Sequence, residues 1–212
     1  MGDSFEIDLY LFQVLTADFG WTGTVGIGLN SAFALSNPIF SISPKSDHFA
    51  LTIAPSHFCE FVYLPVSPVN SWWRLDAVSI SIGSDSSLSV PAQIVTGTFG
   101  LDSTSWVKFW DLIYQIVPHT SWIFDPRGLR YTTDLCVIDV FPSFTITLGQ
   151  YVHTIEPIDY ILMGSLAADA ENGCTVRITE SGSQVSVGTA FFEKNIVLFD
   201  NQNMRLGFCP ID

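Results

Sequence analysis

The chain has 212 residues, of which 48% are hydrophobic and only 14% charged. That is apolar material for one substantial core or two small ones, and it excludes a disordered chain. With 21 acidic against 8 basic residues the formal charge is −13, which argues against nucleic acid and anionic membrane surfaces as partners, since both select for clustered Lys and Arg.

Seventeen Phe, six Trp and six Tyr accompany many Val, Ile, Ser and Thr, a composition that favours sheet. The start, Met1 to Asp8, is acidic and alternating, without the basic head and continuous apolar stretch of a signal peptide. No apolar run reaches the length needed to cross a bilayer. Residues 5–15 alternate as a half-buried strand, and Gly23, Gly26 and Gly28 then mark a bend. Further strands are expected at 48–54, 60–66, 72–82 and 87–95, separated by Ser- and Gly-rich connections. In 103–117 the period changes: Trp106, Phe109, Trp110 and Ile113 recur at helical spacing, Asp102 or Ser103 can cap the start, and Pro118 stops the run. Strands resume at 134–140, 143–148, 150–155, 158–162, 174–179, 184–188, 195–200 and 204–209, with a helical turn at 190–193. The whole reads as mainly β, with one or two short helices.

The residues that usually carry chemistry are scattered. His48, His57, His119 and His153 form no i,i+4 pair and have no carboxylate set at ligand spacing, so no metal or cofactor is expected. There is no G-x-S-x-G elbow, and the glycines at 23, 26 and 28 lack the third glycine and the βαβ context of a dinucleotide loop. Asp76 and Asp200 read as carboxylates that satisfy backbone or turn groups. Four cysteines, none in a CxxC, permit two disulfides without requiring them.

Four segments occur in an order that resembles the pepsin-like aspartic peptidases. The most specific is Val187 to Asp200 followed by Asn203 to Pro210, similar to the family's closing block through its Phe-Asp, Asn and Gly-Phe-x-Pro positions; the family's aspartate after Leu-Gly is Thr189 here. Trp73 to Ile80 leading to Gln93-Ile94-Val95-Thr96-Gly97-Thr98 resembles the strand that leads into the family's second Asp-Thr-Gly loop. Thr22 to Leu29 and Phe144 to Gly149 are weaker matches. The resemblance implies a pepsin-like β architecture truncated at its N-terminal lobe. Residues 1–45 would be a remnant of that lobe with inter-lobe strands, and 46–212 a C-terminal-lobe-like domain.

In that family two aspartates share one proton: one activates a water and the other polarises the carbonyl. The resemblance aligns the second aspartate with Val95, keeps Thr96, Gly97 and Thr98, and puts Phe99 where a small serine follows, beside the former dyad. Valine has no proton to give and no acceptor. Asp102, seven residues on, is better read as a helix cap than as a displaced acid.

The expected function is therefore that of a catalytically inactive pepsin-like protein, a structural or interaction subunit of a larger assembly with other protein chains as partners. Two alternatives stand beside it: a peptide- or protein-binding, inhibitor-like module using the vestigial cleft, and the C-terminal chain of a split two-chain peptidase. The family also implies a disulfide between Cys136 and Cys174 and a lumenal or extracellular habit. Cys59 and Cys209 either form a second bridge or remain buried thiols.

Overall fold

The computed structural model describes residues 5–9, 35–36, 38–44, 49–53, 59–67, 73–82, 89–95, 99–115, 122–125, 130–133, 138–163 and 174–211. In chain order its strands begin with β1 (Phe5–Leu9), β2 (Ile39–Pro44), β3 (Phe49–Ile53), β4 (Val62–Pro65), β5 (Arg74–Ile82), β6 (Ser89–Ile94) and β7 (Phe99–Leu101). Helix α1 (Ser103–Tyr114) comes next, then β8 (Trp122–Asp125), β9 (Arg130–Thr133), β10 (Phe144–Leu148) and β11 (Tyr151–Ile155). The one-turn helix α2 (Pro157–Tyr160) leads into β12 (Ile161–Met163), β13 (Cys174–Val176), β14 (Ile178–Glu180) and β15 (Val185–Val187). A second one-turn helix, α3 (Thr189–Phe192), precedes β16 (Asn195–Asp200) and β17 (Arg205–Pro210). The protein is thus mainly β, and it divides into two compact units: Met1–Asp76 with Phe191–Asp212, and Ala77–Ala190.

The first unit is built on a six-stranded sheet in the order β1-β3-β2-β16-β17-β4, with every pair antiparallel. Its core is aromatic. Phe40 of β2 stacks on Phe199 of β16, their ring centroids 4.7 Å apart, and Trp73 stands edge-on to Phe199 at 5.0 Å. Such offset and edge-to-face pairs add stabilisation beyond the apolar area they bury. Where β17 passes under Phe61 and Tyr63, it carries Gly207: a Cβ there would come within 3.0 Å of the Tyr63 ring and 3.1 Å of Phe61.

The second unit holds a seven-stranded sheet in the order β11-β10-β5-β6-β15-β7-β14 and a four-stranded sheet β12-β13-β9-β8. Strand β15 runs parallel to β6, and β14 parallel to β7, while β11–β10, β10–β5 and β15–β7 pair antiparallel. Alternation on β10 (FTITL) sends Phe144, Ile146 and Leu148 into the core and leaves Thr145 and Thr147 half-buried. Phe144 lies 5.2 Å from Phe99 and 5.4 Å from Tyr160, and Phe109 of α1 completes the cluster 5.7 Å from Tyr160. The Tyr160 hydroxyl donates to the Pro142 carbonyl at 2.7 Å, so this buried ring keeps its polar end satisfied.

Most expected strands are found, within a residue or two of their expected ends where those ends are described. Several places differ. The single strand expected over 174–179 is two, β13 (Cys174–Val176) in the four-stranded sheet and β14 (Ile178–Glu180) in the seven-stranded one. The strand expected over 134–140 is a 3-10 turn at Ile138–Val140, residues 134–137 lying outside the described part. The strand expected over 158–162 begins only at Ile161, because Pro157 favours a helical start and Asp159 accepts from the Glu156 N–H at 2.9 Å. Strands β2, β7, β8 and β9 were not expected. β7 is three residues long, all buried, and has no alternation to reveal it. The bend expected at Gly23 to Gly28 lies outside the described residues.

Candidate functional site

The site suggested by the sequence is the connection from β6 to β7, in the second unit. Along β6, Ala92 and Ile94 point inward and Gln93 is half-buried. Parallel pairing to β15 sets Val185 against Ala92, Ser186 against Gln93 and Val187 against Ile94. The pairing continues one residue further: the Val95 N–H donates to the Val187 carbonyl at 3.0 Å. A side-chain bond, Gln184 Nε2 to Gln93 Oε1 at 2.8 Å, ties the same two strands together. Val95 is half-buried, and its aliphatic side chain has no donor, acceptor or proton. Thr96, Gly97 and Thr98 lie outside the described residues.

Phe99 re-enters the described part as the first residue of β7, 1% exposed, paired with Ile178 and packed on Phe144. Its ring is part of the unit's core. At the next residue, Gly100, a Cβ would lie 2.8 Å from the Ser181 Cβ, so glycine permits the close approach of the chain there.

Asp102 caps α1, as its sequence position suggested. It is 5% exposed and accepts from the N–H groups of Thr104 at 3.0 Å and Ser105 at 3.2 Å. Those bonds occupy the carboxylate with two of the helix's otherwise unpaired donors.

The most constrained carboxylate is in the first unit. Asp200, 1% exposed at the end of β16, accepts from the Asn203 N–H at 3.1 Å, the Asn203 amide at 2.8 Å and the Arg205 guanidinium at 2.7 Å. Burial alone would raise its pKa. The Asn203 bonds and the Arg205 hydrogen bond and charge outweigh that and hold it below the usual carboxylate value. Arg205 in turn lies 3.9 Å above the Tyr63 ring. Asp200 therefore closes a turn between β16 and β17, the role expected of it. Asp76 differs from expectation: it is exposed, and its recorded contact is a loose one of 3.8 Å to Arg74.

Cys59 is bonded to Cys209, which resolves the alternative left open for that pair. Cys174 is also disulfide-bonded, while its expected partner Cys136 lies outside the described residues. Of the histidines only His153 is described, half-buried on β11 with its ring stacked on Tyr151. Among the described residues, no three or more His, Cys, Asp or Glu gather as a metal would require, and no helix is long and apolar enough to cross a membrane. Sequence reasoning missed the Gln93–Gln184 link and the seating of Arg205 on Tyr63. Both join residues far apart in the chain whose types carry no pairing signal.

Residues 52–211 match the family model described as eukaryotic aspartyl protease. The chain belongs to that family. Two relatives named Aspergillopepsin-1, from Aspergillus pseudoglaucus and Aspergillus oryzae, are each 29% identical over 188 residues, covering 84% of this chain and 45% of theirs. The chain thus spans about half the length of the relatives it matches. The crystal structure of an aspartic proteinase from Irpex lacteus superposes with a TM-score of 0.65 at 18% identity, over 82% of this chain and 56% of that one. At that identity the likeness speaks to the fold, which is pepsin-like.

Proposed function

We propose that this member of the aspartyl protease family has no peptidase activity of its own and serves as a structural or interaction subunit of a larger assembly. One observation carries the reading: where the family resemblance puts a catalytic aspartate, the chain has Val95, whose recorded hydrogen bond is the main-chain one to Val187. Phe99 supports it, since the position of a small serine is occupied by a ring buried against Phe144. Asp102 does not replace the lost acid, being engaged with the N-terminus of α1. General acid and base groups contribute about 10²–10⁴-fold each, so a site short of one carboxylate loses most of its rate.

On this reading, residues 1–45 belong to the N-terminal lobe and inter-lobe strands, and 46–212 to the C-terminal-lobe-like domain. The vestigial loop Val95 to Phe99 is a structural connection. The Cys59–Cys209 bridge supports a lumenal or extracellular setting, where disulfides persist. Native mass spectrometry of the protein purified from its source tests the subunit role. Recovery bound to other chains is the expected result; a lone species of 23.4 kDa would count against it and favour a peptide-binding module.

A further inference from the structure

Among the described residues, β11 is the outermost strand of the seven-stranded sheet. It is joined to β10 by a two-residue turn, Gly149-Gln150, with Gly149 at φ 59°, the left-handed value that a primed hairpin turn requires of its first central residue. That turn fixes which backbone groups face which way. Leu148 and Tyr151 close the hairpin as a hydrogen-bonded pair, so Tyr151, His153 and Ile155 bond inward to β10. The N–H and C=O of Val152 and Thr154 then point outward, and among the described residues no hydrogen bond reaches them. Their side chains are exposed, Val152 to 60%.

Natural edge strands are usually blunted by a charge, a proline or a bulge. Over 151–155 (YVHTI) β11 has no charged residue and no proline, and its register to β10 is unbroken. The chain's net charge of −13 opposes self-association by like-charge repulsion, and residues 151–155 add no charge to it.

We propose that β11 is a self-pairing edge, at which a second copy of the chain adds its own β11 antiparallel about a two-fold axis. The outward direction of Val152 and Thr154 limits the register. Only the alignment that sets Val152 opposite Thr154 of the second copy uses both residues of each strand, making four main-chain bonds with strand residues alone. His153 then sits on the axis opposite its own copy, as a close non-hydrogen-bonded pair. Tyr151 meets Ile155, and Gln150 meets Glu156, so no like charges fall opposite one another. Centring the axis on Thr154 instead would call on the Glu156 N–H, which Asp159 already holds. The interface is isologous and closed, as a two-fold requires.

This proposal does not rest on the loss of peptidase activity: an active dimer would overturn the earlier reading and leave this one standing. Sedimentation equilibrium of the full chain over a wide concentration range should show a shift from 23.4 kDa toward twice that mass. Thr154→Pro deletes the outward N–H of each copy and spares the hairpin bonds, so it should weaken association by about tenfold or more without changing the circular dichroism spectrum. Because the described cysteines, Cys59, Cys174 and Cys209, are in disulfides, His153→Cys should give an oxidised, cross-linked dimer, and Val152→Cys should not. The cross-linking pair decides the matter should Thr154→Pro fail to fold. A monomer at every concentration, a dimer indifferent to Thr154→Pro, or cross-linking through Val152→Cys in preference to His153→Cys would each overturn the proposal.

Discussion

The two units fasten their sheets by different means. In the first, the strand ends are held by a covalent bond and an ionic network: Cys59 is bonded to Cys209, and Asp200 gathers Asn203 and Arg205. The second also holds a disulfide-bonded residue, Cys174, but its connection from β6 to β7 has no charged residue at its described ends, Val95 and Phe99, and that connection rests on the aromatic cluster of Phe99, Phe109, Phe144 and Tyr160. The family's pattern has been kept where it closes a turn. On our reading it has been lost where it performed chemistry. Residues that hold a fold and residues that use it are separable, and a chain can retain the first set alone.

This contrast can be broken by substitution. The largest effect is expected from Cys59→Ser. The bridge joins residues 150 apart in sequence, and releasing a loop of that length costs about 4–5 kcal/mol; urea unfolding of the variant against the parent measures it. Phe99→Ala, in the second unit, should cost about 3–5 kcal/mol through the cavity it leaves beside Phe144. A value near zero would mean that the ring does not support that core.

Asp200→Asn should cost about 2–3 kcal/mol, because a buried, charge-assisted set of bonds to Asn203 and Arg205 is weakened. It should also change the acid limb. The folded pKa of Asp200 lies below its unfolded value, so its contribution is complete above the unfolded pKa and disappears as pH falls through the folded one. The parent should therefore lose stability below about pH 4, and Asp200→Asn should flatten that slope. A smaller effect is expected at Gly100→Ala, about 1–3 kcal/mol, since the new methyl meets the Ser181 Cβ at 2.8 Å. Gly207→Ala in the first unit should cost less, its nearest neighbours being ring atoms of Tyr63 and Phe61 at 3.0–3.1 Å.

Much of this was legible in the sequence, for physical reasons that differ by element. β10 alternates strictly, and the sequence placed both β10 and β11 within one residue. Helix α1 announced itself by its aromatic spacing and by Asp102, which caps it as expected. β7 was not legible, since three buried residues carry no period, and Pro157-Ile158-Asp159-Tyr160 looks like a strand until Asp159 is seen folded back on the Glu156 N–H. At the candidate site, residue types alone said nothing about Val95. Only its place in a family pattern singled it out, and its bond to Val187 depends on a partner 92 positions away in sequence, the difference between 187 and 95. Cys59 and Cys209 were likewise undecidable until β4 and β17 were seen to be neighbours.

The most direct test is an acid peptidase assay on the purified chain, following cleavage of a fluorogenic peptide with and without pepstatin, for both the parent and Val95→Asp. The account predicts no pepstatin-sensitive cleavage by either, because the 212 residues hold no Asp-Thr-Gly that could pair with a restored aspartate at position 95. Measurable pepstatin-sensitive turnover by the parent chain would contradict it.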